Sequence, residues 1–183
     1  MLGIEMSMNA HRPLLLRGNR FLGSALVNAN IITIDQLEEA NQKLLDIING
    51  ESLKQASILN ILSFEMNVLN EPELIAHTVE NHEVGLIDLT HYNLSRGFDN
   101  TLELPLCWAT WTLPFDKLDG VYSVATAYYL SKPIVEYWEQ KLGGYVLWYA
   151  CSLKSLSDAL QRIDQLIIAN EHEAAKAPAE AAK

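Results

Sequence analysis

Residues 21–43, FLGSALVNANIITIDQLEEANQK, decide how this chain is read. They describe a short helix, a tight connection and a second, capped helix. Thr33 stands at the N-cap of the second helix with Gln36 three residues on, which makes a capping box, and Ile32 and Leu37 occupy the two positions of a hydrophobic staple. The layout recurs 37 residues downstream: Asn70 takes the cap position, Glu73 follows at N3, and Leu69 and Leu74 supply the staple. Leu22, Asn30 and Leu37 align with Leu59, Asn67 and Leu74. Two degenerate copies of one helical hairpin imply two lobes that pack together, since a single hairpin cannot bury its apolar face alone.

Working outward, residues 1–12 read as a disordered leader, 20–29 as the first helix and 34–48 as the second, with Leu37, Ala40, Leu44, Leu45 and Ile48 on one buried face. Asn49-Gly50 ends it. Residues 52–66 are strongly apolar through Leu53, Ile58, Leu59, Ile61, Leu62 and Phe64, which predicts a buried helix. Residues 71–83 form the fourth, with Pro72 harmless in its first turn and Gly85 stopping it. The periodicity then changes. NLSRGFDN (93–100) is a turn-forming connector, WATWTLPF (108–115) reads as a strand, Asp119-Gly120 as a turn and VYSVATA (121–127) as a second strand. A helix over 133–142, a strand over 145–150 and a last helix opened by Ser155 complete the order β-β-α-β-α. The predicted fold class is α+β. A four-helix pair of hairpins (13–92) precedes a small α/β subdomain (93–168), and the Ala-rich tail (169–183) is mobile or extends the last helix by a turn or two.

The net charge of −10 lacks the dense basic footprint that nucleic acid requires. No apolar run reaches the roughly 18 residues of a membrane helix. The N-terminus lacks the basic-then-apolar order of a secretory signal, so the expected location is the cytoplasm, and Cys107 and Cys151 in apolar company read as buried reduced thiols. Three of the five arginines, Arg12, Arg17 and Arg20, fall within nine residues. They are either a solvated basic arm or a local anion site, because the guanidinium fork suits phosphate.

Catalytic and metal signatures are absent. There is no G-x-x-x-x-G-K-[ST], no G-x-S-x-G and no Cys-x-x-Cys. His77, His82 and His91 with Asp88 fit no zinc spacing, and His77 and His82, five apart, are about 140° apart on a helix. Asp116 and Asp119 are explained by turn chemistry. Trp108 and Trp111, on a strand, would face opposite sides, one in the core and one at the surface.

The run Leu22-Gly23, Leu26-Val27, Ile31-Ile32-Thr33, Gln36-Leu37 resembles the repeat of the N-terminal domain of type II secretion and type IV pilus assembly ATPases, the MshEN-type domain of bacteria. GLIDLTHYNL (85–94), LPF (113–115), VYSVATA and the last two helices extend the resemblance over residues 14–168, without the ATPase motor. Such domains dock onto membrane-anchored subunits, which implies a non-enzymatic adaptor or regulatory module with a protein partner in an envelope machine. Members can also bind cyclic di-GMP across the two repeats. The resemblance then implies a ligand site at Arg17, Arg20, Leu22, Gly23, Leu26 and Asn30, whose apolar members serve equally as helix–helix packing. No other cofactor is implied. The sequence departs from the pattern where Phe21 replaces the leading Arg, Asn30 the internal Gly and Leu44 the final Gln. In the second copy Ile58, Asn60, Asn67 and Asn81 do the same. A small hydrolase or transferase and a homo-oligomeric scaffold are the remaining alternatives.

Overall fold

The computed structural model describes residues 9–50, 53–94 and 102–180. Helix α1 (Arg12–Asn28) begins eight residues before the predicted start, because Pro13 in its first turn needs no amide partner. Arg12, Arg17 and Arg20 therefore lie on a helix, led in by a 3-10 turn at Asn9–His11. Leu15, Leu22 and Leu26 share its buried face. Gly18 lies there too, where a Cβ would come within 2.7 Å of Ile134, so bare backbone is what lets the partner helix approach. The helix closes with the Ile31 amide donating to the Leu26 carbonyl (3.0 Å) and with Asn30 left-handed at φ 56°. Helix α2 (Ile34–Asn49) opens on the predicted capping box: the Gln36 amide donates to Thr33 Oγ1 (3.3 Å) and the Thr33 amide to Gln36 Oε1 (2.8 Å).

The second copy keeps the turn and changes the helix before it. Asn67 is also left-handed, at φ 52°, and Leu69 and Leu74 are buried beside α4 (Glu71–His82). The continuous helix predicted over 52–66 is instead a 3-10 turn (Leu53–Gln55), a short helix α3 (Ile58–Asn60) and a π turn (Ile61–Glu65). The cause is long-range. Ser57 is extended and caps α3 through the Asn60 amide (3.2 Å), while the Ile58 amide donates to buried Asn19 of α1 (2.8 Å). The Val68 amide then reaches the Leu62 carbonyl (2.9 Å), one residue wider than in the first copy, and Phe64 is turned outward at 62% exposure. Asn70 occupies the cap position, but its side chain donates to Glu73 Oε1 (2.8 Å) rather than capping the backbone.

Four strands form one sheet: β1 (Gly85–Leu86), β2 (Thr112–Leu118), β3 (Val121–Thr126) and β4 (Tyr145–Ala150), in the order β1-β4-β3-β2. β2 and β3 are antiparallel across Asp119-Gly120, both at positive φ. β3 and β4 are parallel, joined over helix α6 (Lys132–Leu142). Gly85 does not merely stop a helix: with Leu86 it adds a parallel strand beside β4. The strand predicted from 108 begins only at Thr112, because helix α5 (Leu104–Thr110) ends on left-handed Trp111. Trp108 and Trp111 are in consequence both buried and meet edge to face at 5.7 Å. Burial of Leu106, Cys107 and Trp108 overrides the strand propensity of the aromatics.

Helix α7 (Leu153–Glu180) starts before Ser155, whose amide donates to Ser152 Oγ (3.1 Å), and it continues through most of the Ala-rich segment. Leu22, Leu26 and Leu59 join Leu106, Ile134 and Leu160 in one core. Both cysteines are free and buried, and burial pushes each thiol up. The connector at 93–100, from residue 95 on, and residues 1–8 of the expected leader lie outside the described residues.

Candidate functional site

The outer face of α1 carries Pro13, Leu16, Arg17, Arg20 and Phe21; α2 presents Asn41, Leu44 and Leu45. Between them lies an open groove of about 610 Å³. Arg12 Nη2 donates to Asn49 Oδ1 (3.3 Å), tying the start of α1 to the end of α2. The Arg17 guanidinium carbon lies 5.7 Å from the Phe21 ring centroid, a cation–π contact. Phe21 and Leu45 are 44% and 45% exposed. Neither Arg17 nor Arg20 makes a side-chain ion pair or hydrogen bond among the described residues.

The six residues singled out from the sequence separate by helical periodicity. Arg17 and Arg20 line the groove, whereas Leu22 and Leu26 point into the core. Gly23 is buried under Leu37, with Ile58 also close to where a Cβ would be. Asn30 is exposed in the turn at the other end of α1. Leu16, Phe21 and Leu45 were legible only as apolar residues; periodicity puts Leu45 on the buried face, and the structure turns it to the groove. Phe21 and Leu44, which stand where the resemblance implies Arg and Gln, line the same groove, so its polar ends are apolar here.

A second concavity, about 620 Å³, lies where α1, α4 and α6 converge, lined by Asn28, His77, Asn81, His82, Tyr129 and Lys132 among others. Contrary to the helical-wheel expectation, His77 and His82 meet there, with ring centroids 6.3 Å apart, because α4 ends at His82 and Tyr129 draws that ring inward (5.7 Å). Among the described residues no group of three or more side chains is arranged to hold a metal ion. Asp88 Oδ1 accepts from the Thr90 hydroxyl (2.6 Å), the Thr90 amide (3.0 Å) and Ser155 Oγ (2.9 Å). These bonds hold its carboxyl down at about 2, and they fasten the segment after β1 to α7. Asp116 accepts from the Tyr92 hydroxyl (2.8 Å). No helix among the described residues is long and apolar enough to cross a membrane.

No family model and no curated protein matches the chain. Solved structures do. One crystal form of the N-terminal domain of XpsE superposes with a TM-score of 0.51 at 17% identity, covering 76% of this chain and 91% of that one. A second crystal form gives 0.52 at 13% identity, over 79% and 94%. The chain has the fold of the XpsE N-terminal domain. A looser likeness, TM-score 0.47 at 18% identity over 77% and 96%, is to a structure of MshE with cdg. The resemblance to the N-terminal domains of secretion and pilus ATPases is thus borne out at the level of fold, over residues that contain no phosphate-binding loop of the motor.

Proposed function

We propose that this chain is a non-enzymatic adaptor or regulatory module of the cytoplasm that docks onto a protein partner in a secretion, pilus or related envelope machine. The observation that carries this reading is the groove between α1 and α2, where Leu16, Phe21 and Leu45 stay exposed beside two arginines that have no ion pair among the described residues. Large apolar side chains gathered on a soluble surface are the usual mark of a partner site. The test is calorimetric titration of the chain with the purified cytoplasmic domain of a membrane-anchored subunit of its host's secretion or pilus machine. Micromolar binding is expected, weakened at least about tenfold by Phe21→Asp, as for an aromatic anchor. Failure of every such subunit to bind overturns the reading.

The same groove supports a second reading, a cyclic di-GMP sensor. Arg17 and Arg20 offer guanidinium forks for phosphate, and Phe21 offers a ring for a base. Asn30 stands left-handed where the resemblance implies Gly, and Asn is the non-glycine side chain best tolerated there. Burial of Leu22, Gly23 and Leu26, and apolar Phe21 and Leu44 at the polar positions, weigh against it. Titration with cyclic di-GMP decides. Micromolar binding lost in Arg20→Ala establishes the sensor, and no heat at high micromolar ligand removes it.

A further inference from the structure

We infer that the groove between α1 and α2 receives an acidic amphipathic helix of a partner protein, its apolar face on Leu16, Phe21 and Leu45 and its carboxylates on Arg17 and Arg20. The inference rests on the adaptor reading and names the chemistry of the partner. Charge is the first argument. In a chain of net charge −10, four lysines of the described residues meet carboxylates: Lys43 pairs with Glu39 (3.9 Å), Lys54 with Asp164 (3.7 Å), Lys132 with Glu136 (3.5 Å) and Lys141 with Glu103 (2.6 Å). Among the described residues Arg17 and Arg20 do not, although acidic side chains of the chain outnumber basic ones by 23 to 13. Unpaired guanidiniums flanking exposed apolar residues complement carboxylates that flank an apolar stripe.

The backbone supplies the second argument. Both walls of the groove are helices whose amides and carbonyls are bonded within α1 and α2, so the groove offers no sheet edge. An extended segment laid there would bury its own amides and carbonyls without partners, whereas a helix satisfies them internally. A third helix also covers the stripe that two helices leave open, with apolar residues at i, i+3, i+4 and i+7.

The test uses two labelled synthetic helices of about 18 residues, long enough to hold helical structure. One carries Leu on one face and Glu flanking it; its twin has Lys in place of every Glu. Fluorescence anisotropy reads their binding to the whole chain and to R17E/R20E, whose circular dichroism and melting temperature are checked against the unaltered chain. The acidic helix should bind the unaltered chain and lose at least about tenfold in R17E/R20E, and the basic twin should show the reverse preference. Absence of binding at millimolar peptide, equal binding of both twins, or indifference to R17E/R20E overturns the inference. So does a sedimenting dimer that R17E/R20E dissociates, which would put a second copy in the groove. The same variant enters the calorimetric titration with the envelope subunit. A subunit that binds both forms equally leaves the adaptor reading standing and removes this occupant. If no subunit binds while the peptides show the charge-swapped pattern, the adaptor reading falls and the groove's preference stands.

Discussion

The two copies of the hairpin share a sequence layout and have become different objects. The first copy is regular: α1 and α2 meet at a left-handed Asn30, the capping box closes, and the outer faces leave a groove open to solvent. The second is held from outside. Ser57 and the Ile58 amide are engaged by Asn19 and Tyr128, and the helix before Asn67 breaks into an α turn and a π turn to suit them. The Tyr128 hydroxyl donates to Asn19 Oδ1 (2.7 Å) and lies 2.9 Å from Ser57 Oγ, so one buried polar cluster joins α1, the second copy and the segment after β3. A duplicated motif can thus divide its tasks. One copy spends its polar groups on the core, and the other keeps its surface for a partner.

The sharpest way to break this comparison is to remove the cluster. Asn19→Leu orphans the buried Ile58 amide and leaves the Tyr128 hydroxyl with Ser57 alone, and should cost about 2 kcal/mol, read as a lower denaturation midpoint in urea. A loss under about 0.5 kcal/mol, the range of ordinary surface changes, would mean that the second copy is not held from outside. A smaller contrast lies in the caps. Thr33→Ala should cost about 1 kcal/mol, because the Gln36 amide loses its acceptor at Thr33 Oγ1 while the residue-33 amide keeps Gln36 Oε1. Asn70→Ala should cost clearly less, because Asn70 bonds only to a side chain. Equal losses in thermal melts would erase the distinction between the copies. The smallest effect concerns pH. Asp88 is held at about 2 in the folded chain against an ordinary 3.8, so its contribution is present above about 4 and is lost as pH falls toward 2. Asp88→Asn should flatten the stability profile in that window and nowhere else. An unchanged slope between pH 4 and pH 2 would show that the Thr90 and Ser155 bonds carry no linkage.

Features with local causes were legible before any fold was known. Thr33 and Gln36 satisfy orphan amides at a helix start, and Asp119-Gly120 tolerates positive φ. Features with distant causes were not. Trp108 belongs to a helix rather than a strand because its ring is buried against Trp111 and under Lys54, 54 residues earlier, and 52–66 breaks because Asn19 competes for an amide 39 residues away. The candidate site was half legible. Clustering of charge singled out Arg17 and Arg20, but periodicity counted Leu45 among the buried residues and motif likeness drew attention to Leu22, Gly23 and Leu26, which the core consumes.

By itself, then, the sequence determined the duplicated turn, the Thr33 capping box, the α+β class and the arginine pair, since each depends on neighbours within a few residues. Only the tertiary structure decided which face of α1 remains in water, which copy is distorted and that Gly85-Leu86 joins the sheet. Those outcomes turn on hydrogen-bond partners and packing surfaces distant along the chain, and a buried polar group takes its partner wherever the fold presents one.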